Sequence, residues 1–134
     1  MNEDFVPFEL AKKLKEKGFP QRPDYFNYSS YFYWDGLRKI HTLCNASVWF
    51  NPNINRENIY FASTISQVLK WLREEKEIDI ILYPIFLYNE NNREREYGIE
   101  IHAPQLNKPI HLDYFEEWEK GAVVGIEYVL DNLI

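Results

Sequence analysis

With one cysteine, Cys44, among 134 residues, the chain cannot form an internal disulfide. That absence points to a reducing compartment and leaves packing alone to hold the fold. Long hydrophobic runs are also missing, since no apolar stretch reaches the ~18 residues that a spanning helix needs. The first residues, MNEDFVPF, are acidic and lack the basic-then-apolar order of a signal peptide. The expectation is a cytoplasmic protein with no membrane partner. Glycine is scarce, at five residues, and no G-x-S-x-G, P-loop, G-x-G-x-x-G or H-E-x-x-H pattern occurs. The usual sequence routes to hydrolase, nucleotide and metalloprotease chemistry therefore have no support.

Basic charge is short as well. Fifteen Lys and Arg face 21 Asp and Glu, a net charge of −6. The deficit is uneven: Met1 to Ile40 carries seven basic against six acidic residues, whereas His111 to Ile134 carries Lys120 against six acidic ones. An acidic C-terminal segment disfavours contact with a nucleic-acid backbone there.

Aromatic residues are abundant, with 10 Tyr, 9 Phe and 4 Trp making 17% of the chain. Seven of the ten residues in Tyr25–Trp34, YFNYSSYFYW, are aromatic. So much ring surface in a polar, Pro-flanked stretch must be packed, bound or both. The length suits one ordinary domain, and the 46% hydrophobic content argues against overall disorder.

The pattern along the chain predicts a single α+β domain over residues 1–134, with about three helices packed on a small antiparallel sheet. Pro7 to Lys17 reads as a helix with an apolar stripe of Leu10, Ala11 and Leu14, closed by Gly18, with Phe19 folding back. Pro20 to Leu37 reads as a long ordered loop, with a short strand at Tyr31 to Trp34. Val48 to Phe50 and Asn58 to Ala62 read as short strands, and Leu37 to Leu43 is open between strand and helical turn. Ile65, Val68, Leu69 and Leu72 give a second helix, capped by Ser63 or Thr64 and running to about Lys76.

A hairpin near residues 78–103 follows, from the apolar run Ile78 to Tyr88 and the alternating Glu96 to Ala103. Pro84 within it predicts a bulge or an edge strand. Asp113 with Glu116 reads as a capping box that starts the last helix, whose stripe is Phe115, Trp118, Ala122, Ile126, Val129 and Leu133. Gly121 and Gly125 predict close packing of that helix on the sheet or another helix.

Chemistry-bearing residues are few. His41, Cys44, His102 and His111 together lack the paired-ligand spacing of zinc sites, so chance placement explains them better. Cys44 with His41 as base would make a small Cys/His enzyme, but only if a helical turn brought them together, and no second feature supports it. The carboxylates at Glu94/Glu96 and Glu116/Glu117/Glu119 read as solvated surface, the latter three favoured near a helix start. No catalytic residue, cofactor or metal ligand is assigned. The aromatic segment either roofs the core or presents rings to a partner, and Tyr25, Tyr28, Tyr31, Tyr33 and Trp34 are its candidate contact residues.

Three pieces also carry a resemblance. They are Phe5-Val6-Pro7-Phe8-Glu9-Leu10-Ala11 with Leu14-Lys15-Glu16-Lys17-Gly18-Phe19; Ala62-Ser63-Thr64 with Val68 and Trp71-Leu72-Arg73-Glu74; and the helix Glu116 to Leu133. Together the chain resembles a group of small uncharacterised proteins of gut bacteria, many in prophage or mobile-element settings. It departs from them at Ser63, where they carry Pro, and in its aromatic middle. The resemblance implies no activity or cofactor, only an accessory or interaction role. The expected function is a non-enzymatic interaction module that binds a protein partner through the aromatic segment. The alternative is a nucleic-acid accessory factor using the Lys-rich first helix with aromatic stacking.

Overall fold

A computed structural model of the chain describes residues 5–23, 28–88 and 93–134. Contacts divide it into two units, one extending to Thr64 and the other from Ile65 to Ile134. Among the described residues, three α-helices and two three-stranded antiparallel sheets give the α+β class that the sequence predicts.

The first unit opens with α1 (Phe8–Glu16), which buries Phe8, Leu10, Ala11 and Leu14 on one side. Pro7 stands at the N-cap, one residue before the expected position. Gly18 adopts φ 91°, a left-handed conformation that a side chain would strain. Its N–H donates to the Lys15 carbonyl at 3.2 Å, and the Phe19 N–H donates to the Leu14 carbonyl at 2.9 Å. These two bonds are the Schellman closure, and they return Phe19 to the core, where it stacks on Phe61 with ring centroids 6.0 Å apart.

The sheet of this unit has the order β2-β1-β3, from β1 (Ser30–Asp35), β2 (Ile40–Asn45) and β3 (Ile59–Phe61). The strand expected at Tyr31 to Trp34 is therefore its central strand. Asp35 turns the chain into β2: its carboxylate accepts from the Leu37 and Arg38 N–H groups, and its carbonyl accepts from the Lys39 N–H. The ambiguous Leu37 to Leu43 thus resolves into a turn and a strand. Val48 to Phe50 does not form the expected strand. It belongs to a 3₁₀ helix, Ala46–Phe50, because the Asn45 side chain accepts from the Ser47 N–H at 3.0 Å and caps it.

The second unit begins with α2 (Ile65–Lys76), which buries Ile65, Val68 and Leu72. Then come β4 (Asp79–Tyr88) and β5 (Arg93–His102), the predicted hairpin, and β6 (Ile110–Phe115), in the order β4-β5-β6. Pro84 lies in β4, an edge strand of this sheet, as its missing N–H requires. The expected capping box at Asp113 does not form. Ile110 pairs with Ile101 and Leu112 with Ile99, so the two-residue alternation of this stretch serves a strand ladder, and Asp113 and Phe115 lie in β6. The last helix, α3 (Trp118–Asn132), starts later, after Glu117, with no side-chain cap. Its buried face is Gly121, Ala122, Gly125, Ile126, Val129 and Leu130, and both glycines lie against the sheet as expected.

These contacts set a test of the packing. A Cβ at Gly125 would meet Ile80 Cγ2 at 3.0 Å and Ile99 Cγ2 at 3.4 Å, both stiff β-branched methyls. A Cβ at Gly121 meets first the terminal methyl of Leu82, at 3.2 Å. Helix propensity alone favours alanine at either site by ~1 kcal/mol. Overpacking is expected to reverse that at Gly125, so Gly125→Ala should lose ~1 kcal/mol or more net in urea unfolding, with Gly121→Ala close to neutral. Equal gains in both variants would show that the helix does not depend on the close approach.

A second test concerns Glu77, which follows α2 with φ 57° and an exposed side chain. Left-handed backbone costs an L-residue more than glycine's extra entropy does, so Glu77→Gly should raise stability by ~0.5–1 kcal/mol, read from the urea midpoint.

Candidate interaction surface

The strand β1 divides the aromatic segment between two faces of its sheet, because side chains alternate along a strand. Phe32 and Trp34 lie on one face and Phe8 of α1 covers them. The Phe8 ring stacks on His41 at 4.5 Å and on Trp34 at 5.7 Å, and meets Phe32 and Tyr60 edge-on at 5.7 and 5.5 Å. Tyr31 and Tyr33 lie on the other face. Tyr31 is 0% exposed; its ring packs edge-on against Trp49 at 5.6 Å, and its hydroxyl donates to the Gln21 carbonyl at 2.7 Å.

The five aromatic candidates therefore do not form one surface. Tyr31 is a core residue and is withdrawn as a contact residue, since a fully buried ring has nothing to offer a partner. Tyr33 and Trp34 are half-buried on opposite faces. Tyr25 lies outside the described residues. Tyr28 is 90% exposed.

The sheet has two edges, and they differ. At the β3 edge, the Phe61 N–H donates to the Gln21 side-chain oxygen at 2.8 Å. The Ile59 carbonyl accepts from the Lys15 ammonium at 2.8 Å. The same ammonium donates to the carbonyls of Arg56 and Glu57 at 3.2 and 3.4 Å and lies 4.8 Å from the Tyr60 ring centre. Burial pushes the Lys15 pKa below its ordinary value, and the nearby Glu57 carboxylate works in the opposite direction. A lysine and a glutamine side chain thus seal this edge.

Among the described residues, no strand pairs with the β2 edge. Ile59 and Phe61 point their backbone groups away from β1, so Tyr60 faces β1 and pairs with Phe32. Phe32 then spends its backbone groups on β3, and its neighbours Tyr31 and Tyr33 spend theirs on β2. Their partners Cys44 and Thr42 are consumed, which turns the N–H and C=O groups of His41 and Leu43 outward. Among the described residues no other segment bonds to them.

A depression of about 410 Å³ flanks this edge, lined by Leu43, Cys44, Asn45, Val48, Asn51 and Ile54. Three consecutive strand residues line it, and consecutive residues alternate faces, so it lies along the strand's rim. Leu43 is 50% and Phe50 65% exposed, and Ile40 and Leu37 are exposed as well. From Gly36 to Arg56 the sequence has no carboxylate, although 21 of the 134 residues are acidic. Arg38 and Lys39 stand exposed at the start of β2. Sequence reasoning missed this surface because Leu37 to Leu43 had two readings. The Asp35-Gly36 turn after an aromatic run was the signal that a hairpin partner follows.

The other candidates come apart. His41 and Cys44, three apart on a strand, project from opposite faces, so His41 does not stand beside the thiol. In the second unit the His102 ring nitrogen lies 2.7 Å from a Glu100 oxygen. Among the described residues no three His, Cys, Asp or Glu side chains cluster as metal ligands, and no helix is long and apolar enough to cross a membrane.

Lys15→Met is expected to remove the ammonium's bonds to three carbonyls and to lower stability by about 1–2 kcal/mol in urea unfolding at pH 7. The pH dependence has a sign. Burial makes the folded chain hold the Lys15 proton less tightly than the unfolded chain does. Stability of the wild type relative to Lys15→Met should therefore rise with pH on approach to the ordinary lysine value. An unchanged midpoint would show that the seal carries no weight.

Comparison with known proteins finds no matching family model, no significantly similar curated protein and no significantly similar solved structure.

Proposed function

We propose that the protein is a non-enzymatic interaction module that binds a protein partner on the surface around β2. The observation that carries this reading is the conjunction at one place of a strand edge that no described segment pairs, a depression lined in part by that strand, and half-exposed Leu43 in its lining, with exposed Phe50 following in the adjoining 3₁₀ helix. Apolar side chains exposed beside free backbone donors and acceptors match what peptide-binding edges offer. Of the aromatic segment, Tyr28 contributes directly. The rest of it supplies the central strand that holds β2 in place. An accessory role in a bacterial mobile element, within the cytoplasm, fits such a module.

The nucleic-acid alternative is less well supported. Its basic helix is engaged elsewhere: Lys15 seals the β3 edge, and Lys12 sits 3.6 Å from Glu9 and 5.4 Å from the Phe8 ring centre. Lys13 and Lys17 have partners too. Its stacking rings, Phe32 and Trp34, are covered by Phe8.

The test is affinity capture from a bacterial lysate with the tagged wild type, beside Tyr28→Ala, Leu43→Asp and Phe50→Asp proteins whose circular dichroism matches it. A partner retained by the wild type and lost from the Leu43 and Phe50 variants is the expected result. A partner held equally by all four proteins would place the contact elsewhere, and capture of nucleic acid in a salt-sensitive manner would favour the alternative.

A further inference from the structure

We infer that the partner of this surface is an extended peptide segment, which adds to the sheet as a fourth strand along β2 and carries an aliphatic side chain and a carboxylate. The inference rests on the interaction-module reading and specifies its chemistry.

The backbone supplies the first argument. A strand edge with outward N–H and C=O groups at His41 and Leu43 is complementary to another extended backbone, whatever its side chains. The β3 edge cannot accept a strand, because Gln21 and Lys15 occupy the Phe61 N–H and the Ile59 carbonyl. Addition is therefore directed to one side of the sheet.

The depression supplies the second. It lies along the rim at Leu43 to Asn45, with Val48 and Ile54 in its wall. A side chain of an added strand that turns toward it meets aliphatic carbon and the Asn45 and Asn51 amides. An aliphatic residue fits that lining; a charged one would lose its hydration without a counter-charge.

Charge supplies the third. The stretch Gly36 to Arg56 holds no carboxylate, and although Asp35 lies 3.8 Å from the Arg38 guanidinium and balances it, Lys39 stands exposed, so a peptide carboxylate meets attraction at Lys39. Lys39 and Cys44 are five positions apart, or roughly 17 Å at ~3.3 Å per residue. The carboxylate and the aliphatic side chain of the peptide should then be about four to five residues apart. A second copy of this chain is the competing occupant. Its β2 brings no carboxylate to Lys39, because Ile40–Asn45 and the residues from there to Arg56 contain none.

The experiment uses a random linear dodecapeptide phage library, panned on the immobilised full chain at moderate salt. Enriched peptides are expected to share an aliphatic residue and an Asp or Glu at that spacing. In synthetic versions, N-methylation at every second residue should weaken binding about tenfold or more, while the intervening positions tolerate it, since only alternate amides face β2. On the protein side, Leu43→Pro removes an outward N–H that the internal ladder does not use, so the fold should survive and binding should fall about tenfold or more. Leu43→Ala keeps that N–H and should bind several-fold better than Leu43→Pro.

Three results would overturn the inference. They are N-methylation felt at every position or at none, enriched peptides without the carboxylate, and a dimer in sedimentation that Leu43→Pro dissolves. Should Leu43→Pro unfold, the N-methyl series still decides. A lysate partner lost with Phe50→Asp but kept by a folded Leu43→Pro would leave the interaction module standing and remove the added strand.

Discussion

The first unit depends on a demand that its central strand cannot evade: every backbone N–H and C=O of β1 must find a partner once water is excluded. Tyr31 is fully buried and Phe32 nearly so, which takes β1 out of water. Its even positions bond to β3 and its odd positions to β2. That alternation decides which groups of the outer strands face away, and so it determines both the edge that Lys15 and Gln21 close and the edge that stays open. It also deals the rings to two faces. The hub on one side is Phe8, brought there by a helix, and on the other the Tyr31 ring sits between Trp49 and Phe61. Ring packing of this kind adds ~0.5–1.5 kcal/mol per well-placed pair beyond simple burial. A segment that resembled a binding surface is thereby committed largely to structure.

How Lys15 serves the fold follows from the same demand. The 3₁₀ helix Arg56–Asn58 leads straight into β3, and the carbonyls of Arg56, Glu57 and Ile59 converge at its exit. Three carbonyls in one place require a donor with three hydrogens, and an ammonium at the end of a flexible chain is such a donor. Desolvation works against the charge, which is why the pKa falls, yet the bonds and the Tyr60 ring face hold the group in place. In this protein a cation in the last turn of a helix is a clasp on another element.

Legibility from sequence followed the strength of each local signal. The helices α1 and α2, the hairpin of β4 and β5, the αL glycine at Gly18 and the packing role of Gly121 and Gly125 all declare themselves through period, punctuation or residue size. The Asp113 capping box misled because a cap needs only two residues, whereas the ladder of Ile110 and Leu112 against Ile101 and Ile99 depends on partners about ten residues earlier. Val48 to Phe50 misled because β-prone side chains there are overruled by Asn45 and its local bond to Ser47. The open edge was illegible for a different reason. Whether a strand is central or at an edge depends on which strands exist elsewhere, and the alternation YFYW says nothing of that. Tyr31 was chosen as a contact residue on aromatic content alone, and only its register opposite Cys44 and Phe61 shows that it points inward.

An open edge is a hazard, since any extended chain pairs with it, and proteins usually blunt such edges with proline, charge or a covering segment. Here β3 is covered and β4 contains Pro84, while β2 contains neither proline nor a charged residue between Ile40 and Asn45. The overall charge of −6 bears on what can approach. It repels acidic partners at long range, and all of it comes from the sequence from Ile65 onward, where fourteen acidic residues stand against seven basic. At physiological salt that repulsion is screened beyond ~8 Å, so what a docked peptide feels is the charge within reach of the strand. Around β2 the sequence supplies Lys39, together with Arg38 paired to Asp35 at 3.8 Å, and no carboxylate from Gly36 to Arg56. For a peptide of the kind proposed, long-range repulsion would slow indiscriminate collection of acidic chains, and short-range attraction would select those that extend along β2. The same division of ranges discourages self-association through an edge that would otherwise invite it, because two copies meet with like net charge before either strand comes within hydrogen-bonding distance.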